Sequence, residues 1–152
     1  MMNQRFQTFF RLFLEISRSI NKIKENKADK LGLKSIELMI LIELKEKRLT
    51  AAELARKCFI DKAAISRSIN ALNKQGYIQV EINKNGNNYG SLISLSKDGQ
   101  LLMQKIVFMI DDIVNKSSAN IASYERKKFY DILSEISCNM QRICQKEDEN
   151  EN

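Results

Sequence analysis

Residues 49–78 read LTAAELARKCFIDKAAISRSINALNKQGYI, and this stretch decides the fold. Thr50 followed by Glu53 is a capping box, which starts a helix. Leu54 and Cys58 lie four apart and point inward, while Ala51 and Ala55 let another helix come close. Phe59-Ile60 breaks that pattern, and Asp61 caps a second helix from Lys62 to about Gln75. Ile65, Ile69 and Leu72 form its buried stripe, and Gly76 is the expected residue just past its end. The result is two short capped helices joined by a tight connection.

The opposite face of the second helix carries Lys62, Ala63, Ser66, Arg67 and Asn70, with Lys74 one turn further on. Such a face, taken alone, is that of any solvated helix. After a capped helix and a short turn it has what major-groove reading needs. Small residues permit close approach, and Arg, Asn and Ser bond to base edges or phosphates. Tyr77 to Ile82 then alternates as a strand, and Leu92, Ile93 and Leu95 supply its return. Asn83 to Asn88 between them is turn-rich, since Gly and Asn tolerate positive φ. A hairpin directly after a recognition helix is a wing.

Working outward, Phe6, Phe9, Phe10, Phe13, Leu14, Ile16, Ile20 and Ile23 recur at spacings of three and four, one face of a long helix. Arg5, Arg11, Arg18 and Lys22 line the other face. A basic amphipathic helix of this kind can adsorb to membranes; packing between subunits is the preferred reading, because four phenylalanines exceed what one small domain covers. Asn26 to Gly32 is a polar break, and a further helix is predicted from about Lys34 to Lys47 on Ile36, Met39, Ile40 and Leu44. Beyond the wing, Leu101, Leu102, Ile106, Met109, Ile110, Ile113 and Val114 predict a helix from Ser96 to about Lys116. Phe129, Ile132, Leu133, Ile136 and Met140 predict another from about Tyr124 to Ile143. The fold class is therefore mainly α with a small β-wing, a winged helix-turn-helix flanked by N- and C-terminal dimerisation helices. Residues 1–145 form one domain, with a 33–98 winged core and dimerisation helices in 1–30 and 97–145. Residues 146–152 are a polar tail, read as frayed.

The totals agree. A chain of 152 residues with 43% hydrophobic and 29% charged residues is an ordinary globular domain. Proline is absent and glycine occurs five times, so little interrupts long helices. A net charge of +6 and a pI near 9.2 favour a polyanionic partner. The N-terminus lacks a signal-peptide pattern and no stretch of about 18 apolar residues occurs, so a cytoplasmic location without membrane insertion is expected. Histidine is absent, which removes the commonest general base and metal ligand. Cys58, Cys138 and Cys144 match no zinc spacing and read as reduced thiols. No nucleophile–base pair or phosphate-binding glycine loop is present, so neither catalytic residues, metal nor cofactor are expected.

With these motifs the chain resembles the MarR family of winged-helix transcriptional regulators, most specifically over residues 49–78 and the SLISLSKDG of residues 91–99 that closes the wing. The resemblance implies a homodimer that puts a recognition helix in the major groove and a wing in the minor groove of a pseudo-palindromic operator, and the abundance of Lys, Asn and Ile points to an AT-rich bacterial genome. The resemblance also implies a repressor relieved by a small-molecule effector. Carried over by position, the recognition face is Lys62, Ala63, Ser66, Arg67 and Asn70, with Arg67 in the arginine place of the family's SR pattern. The wing departs: where members usually carry Asp-x-Arg, the same places hold Asn87, Asn88 and Tyr89. Lys84 on phosphate, with Asn87 and Asn88 on minor-groove acceptors, is the substitute expected here. The missing arginine motivates an alternative, a winged-helix interaction module or heterodimer partner with weak autonomous DNA binding. Cys58 stands at a usually aliphatic core place and is read as core rather than as a redox switch. Phe13, Ile20, Met39 and Phe108 are candidate lining for an effector pocket, and plain core is the preferred reading.

Overall fold

The computed structural model describes residues 4–81 and 90–150. Its backbone forms two compact units, Met1–Val107 and Phe108–Asn152. The first holds α1 (Gln4–Lys30), α2 (Ser35–Glu43), α3 (Ala51–Cys58), α4 (Lys62–Lys74), β1 (Ile78–Glu81), β2 (Leu92–Leu95) and the start of α5 (Lys97–Ser117). The second holds the rest of α5 and α6 (Ser123–Asn150). No helix among the described residues is long and apolar enough to cross a membrane.

Local chemistry sets most helix ends. Thr50 Oγ1 accepts from the Glu53 amide at 3.3 Å, and the Glu53 carboxylate accepts from the Thr50 amide at 2.8 Å. Asp61 caps α4 through Oδ1 on the Ala64 amide at 2.9 Å. The Glu37 carboxylate accepts from the Lys34 amide at 2.8 Å at the start of α2. Three helix C-termini close in the same way: the chain takes one residue in the left-handed region, and two amides reach back to orphan carbonyls. That residue is Gly32 after α1 and Gly76 after α4, with φ +68° and +79°. After α3 it is Phe59, at φ 55° and ψ 43°.

The core of the first unit is built from Ile40, Leu41, Leu54, Ile65, Leu72 and Ile106, all fully buried. β1 and β2 pair antiparallel with Ile78 opposite Leu95 and Val80 opposite Ile93. Ile78, Ile93 and Leu95 are buried, so this face closes the core beneath the hairpin. Leu49, just before α3, adds a bridge to Ile93 through two backbone hydrogen bonds of 3.1 and 2.8 Å. α5 then enters under strict constraint. Ser96 Oγ donates to the Gly76 carbonyl and accepts from the Gly99 amide, while the Ser96 amide donates to Tyr77. A Cβ on Gly99 would stand 1.9 Å from the Tyr77 carbonyl oxygen.

Several sequence boundaries move. α1 runs through the polar stretch predicted to break it and stops only before Gly32, because polar residues end an apolar face without ending a helix. Ala28 within that stretch is fully buried. α2 ends at Glu43 rather than near Lys47, since the chain must turn to deliver Leu49 to Ile93. α6 reaches Asn150, past the expected stop at Ile143 and into the segment read as frayed. On α5 the buried residues are Gly99, Leu102, Met103 and Ile106, whereas Leu101 and Val114, predicted inward, are exposed.

Candidate nucleic-acid interface

α4 divides cleanly. Ile65, Ser68, Ile69 and Leu72 are buried, and Lys62, Ala63, Ser66, Arg67, Asn70 and Lys74 are all exposed. At 100° per residue these six lie on one continuous face. All the predicted residues of this helix are therefore brought together. Asn73 is exposed on the same face, between Lys62 and Asn70 in angle, and was missed by the sequence reading; its place on the helical wheel is the signal that finds it. Ala63 and Ser66 beside Arg67 leave room for a partner surface to approach. Among the described residues Lys62, Arg67 and Lys74 enter no ion pair. Lys84, Asn87 and Asn88, the predicted wing contacts, lie outside the described residues.

α3 and the turn after it add features that the sequence reading passed over. Arg56 and Lys57 are exposed on the last turn of α3. Lys57 is paired with Glu43 at 3.6 Å and Arg56 is not. Phe59, in the turn leading to Asp61, is 83% exposed. The Glu53 carboxyl is held below the ordinary carboxylate range by its hydrogen bonds from the Thr50 backbone and hydroxyl, helped by the nearby Arg56 and Lys57 charges. Cys58 is buried, and burial pushes its thiol up, with the Glu43 carboxylate adding to the effect. A thiol held protonated in the core is a poor oxidant target, in line with its reading as core. Cys138 and Cys144 are free and exposed on α6.

At the wing root Arg48 Nη1 holds both carboxylate oxygens of Glu81, at 2.9 and 3.0 Å. This pair ties the segment before α3 to the end of β1. Both side chains are more than half exposed, so it contributes about 1 kcal/mol or less. Its value lies in orienting the strand end. Of the candidate effector lining, Phe13, Ile20 and Phe108 are exposed. Met39 is partly buried and takes a contact from Lys24 Nζ at 3.3 Å. Among the described residues no three metal-ligating side chains converge.

Two short helices across a tight turn, followed by a two-stranded ribbon bridged to the segment before them, define a winged helix-turn-helix domain. Residues 31–86 match the MarR family model. Solved structures extend the likeness to the flanking helices. A MarR family transcriptional regulator from Listeria monocytogenes, complexed with 26mer DNA, superposes with a TM-score of 0.77 at 23% identity, covering 86% of this chain and 87% of that one. A MarR transcriptional regulator from Methanosarcina mazei gives 0.79 at 16% identity, covering 90% and 99%. Wild-type MarR from E. coli in its apo form gives 0.67 at 17% identity, covering 83% and 93%. At these identities the likeness is one of fold. Among curated protein sequences none matches.

Proposed function

We propose that this chain is a homodimeric, sequence-specific DNA-binding transcription regulator that reads its operator through α4. One observation carries the reading: an exposed helix face that combines Arg67, Asn70, Asn73 and Ser66 with two lysines, none of the cations paired with a carboxylate among the described residues. Arg67 and the Asn side chains would bond to base edges, while Lys62 and Lys74 would sit on phosphates. The DNA-bound Listeria relative of the same fold supports the partner class.

Dimerisation is supported by apolar surface that the single chain leaves uncovered. On α1, Phe9, Phe10, Phe13, Leu14, Ile16 and Ile20 are exposed; on α6, Phe129, Ile132, Met140 and Ile143 are exposed. A second copy is the economical cover, because a twofold makes each face self-complementary. Two α4 helices about 34 Å apart would then meet successive major grooves of a pseudo-palindromic site. A dimer seated on such a site occludes an overlapping promoter, which makes repression its default output. A small molecule that altered the spacing of the two helices would relieve it.

The test is selection of duplexes from a random-sequence library at low salt, followed by Arg67→Ala. The wild type is expected to recover a pseudo-palindrome, and the variant to lose about 1–3 kcal/mol of binding and its preference at one base position per half-site. Lys74→Ala should instead weaken all sequences alike and lower the salt slope by about one. Recovery of no preferred sequence would favour the alternative, an interaction module that works through another protein.

A further inference from the structure

The three helix C-termini of the first unit make an internal comparison. After α1, the Leu33 and Gly32 amides donate to Ala28 and Asp29 at 2.9 and 3.0 Å; after α4, the Tyr77 and Gly76 amides donate to Leu72 and Asn73, both at 3.0 Å. After α3, the Ile60 and Phe59 amides donate to Ala55 and Arg56 at 3.0 and 3.4 Å. The motif is one and the same, and the left-handed position is glycine in the first two cases. At Gly32 and Gly76 a Cβ would meet nothing within 4 Å, so glycine stands there for backbone conformation and not for lack of space. At the third end the residue is phenylalanine, among the described residues the only non-glycine with positive φ.

The Phe59 ring gives the fold nothing in return, for it is 83% exposed. A bulky side chain in a disfavoured conformation and out of the core points to a role outside the chain. Its surroundings limit what that role is. Phe59 stands two residues before Asp61, the cap of α4; its exposed sequence neighbours are Arg56 and Lys57 on one side, Lys62 and Ala63 on the other. A lone ring set among cations is small for docking a protein. It suits a duplex edge, where thymine methyls and deoxyribose carbons lie between phosphates.

We propose that Phe59 is a DNA-contacting residue, its ring packed on apolar atoms of the operator at the groove edge beside the N-terminus of α4. This rests on the DNA-reading function proposed above. The experiment uses the duplex that the wild type recovers from a random library, with binding followed by fluorescence anisotropy. Phe59→Gly is expected to raise the thermal midpoint by about 2–4 °C, since strain is relieved, and to weaken binding about 5- to 30-fold. Phe59→Leu should retain most of the affinity. Replacing operator thymines with deoxyuridine identifies the source: loss in the wild type but not in Phe59→Gly assigns the contact to a methyl, and loss in neither, with Phe59→Gly still weak, assigns it to the sugar. Binding by Phe59→Gly equal to wild type overturns the proposal. If Arg67→Ala is then impaired, the DNA reading stands without this contact; if the wild type recovers no duplex at all, both fall.

Discussion

Two residues do work that their neighbours cannot. Gly99 lies where the first turn of α5 crosses the Tyr77 carbonyl, and any side chain there meets a backbone atom rather than a flexible group. Gly99→Ala is expected to cost about 3 kcal/mol by forcing α5 away from the hairpin; a chemical-denaturation midpoint close to wild type would show that the crossing can open freely. Glu53 is the second. Its carboxyl has a lower pKa folded than unfolded, so its contribution is present above the ordinary value of 4.5 and is lost as pH falls through the folded value. Glu53→Gln keeps an acceptor for the Thr50 amide without the charge. The wild type should therefore lose more stability than Glu53→Gln on acidification, read as urea midpoints against pH. Parallel curves would place the acid sensitivity elsewhere.

Among the elements, α4 has the simplest logic. Its cap, its buried stripe and its terminating glycine are encoded within the helix and the residues beside it, and so its exposed face is encoded too. The hairpin is different. Its register depends on Ile78, Ile93 and Leu95 finding the core, and its root is held by the Arg48–Glu81 pair and the Leu49–Ile93 bridge. These partners are remote in sequence, which is why neither was foreseen.

For the whole molecule, the proposed dimer turns on the exposed apolar residues of α1 and α6. If they join two copies, Phe13→Asp should convert dimer to monomer in sedimentation velocity while leaving the far-UV helical signal intact, because Phe13 is exposed in the single chain. Operator affinity should fall with it, since each half-site would then bind alone. An unchanged sedimentation coefficient would show that α1 serves another contact. On α6, Phe129, Ile132 and Met140, predicted inward, are exposed: periodicity marks a face that seeks cover, and does not say whether the cover lies in the same chain.

The amino-acid order alone determined the class of fold, the two capped helices from Thr50 to Gly76 and the six predicted residues on the exposed face of α4. These follow from caps, periodicity and glycine stops, interactions that reach no further than a few residues along the chain. Tertiary structure decided the rest. It showed that Gly99 is required by a crossing with Tyr77 and that Arg48 faces Glu81. It also showed that Phe59 is strained and exposed at once. Each of these depends on distant groups meeting in space, or on a backbone angle and the solvent around a side chain, and local patterning carries no record of either.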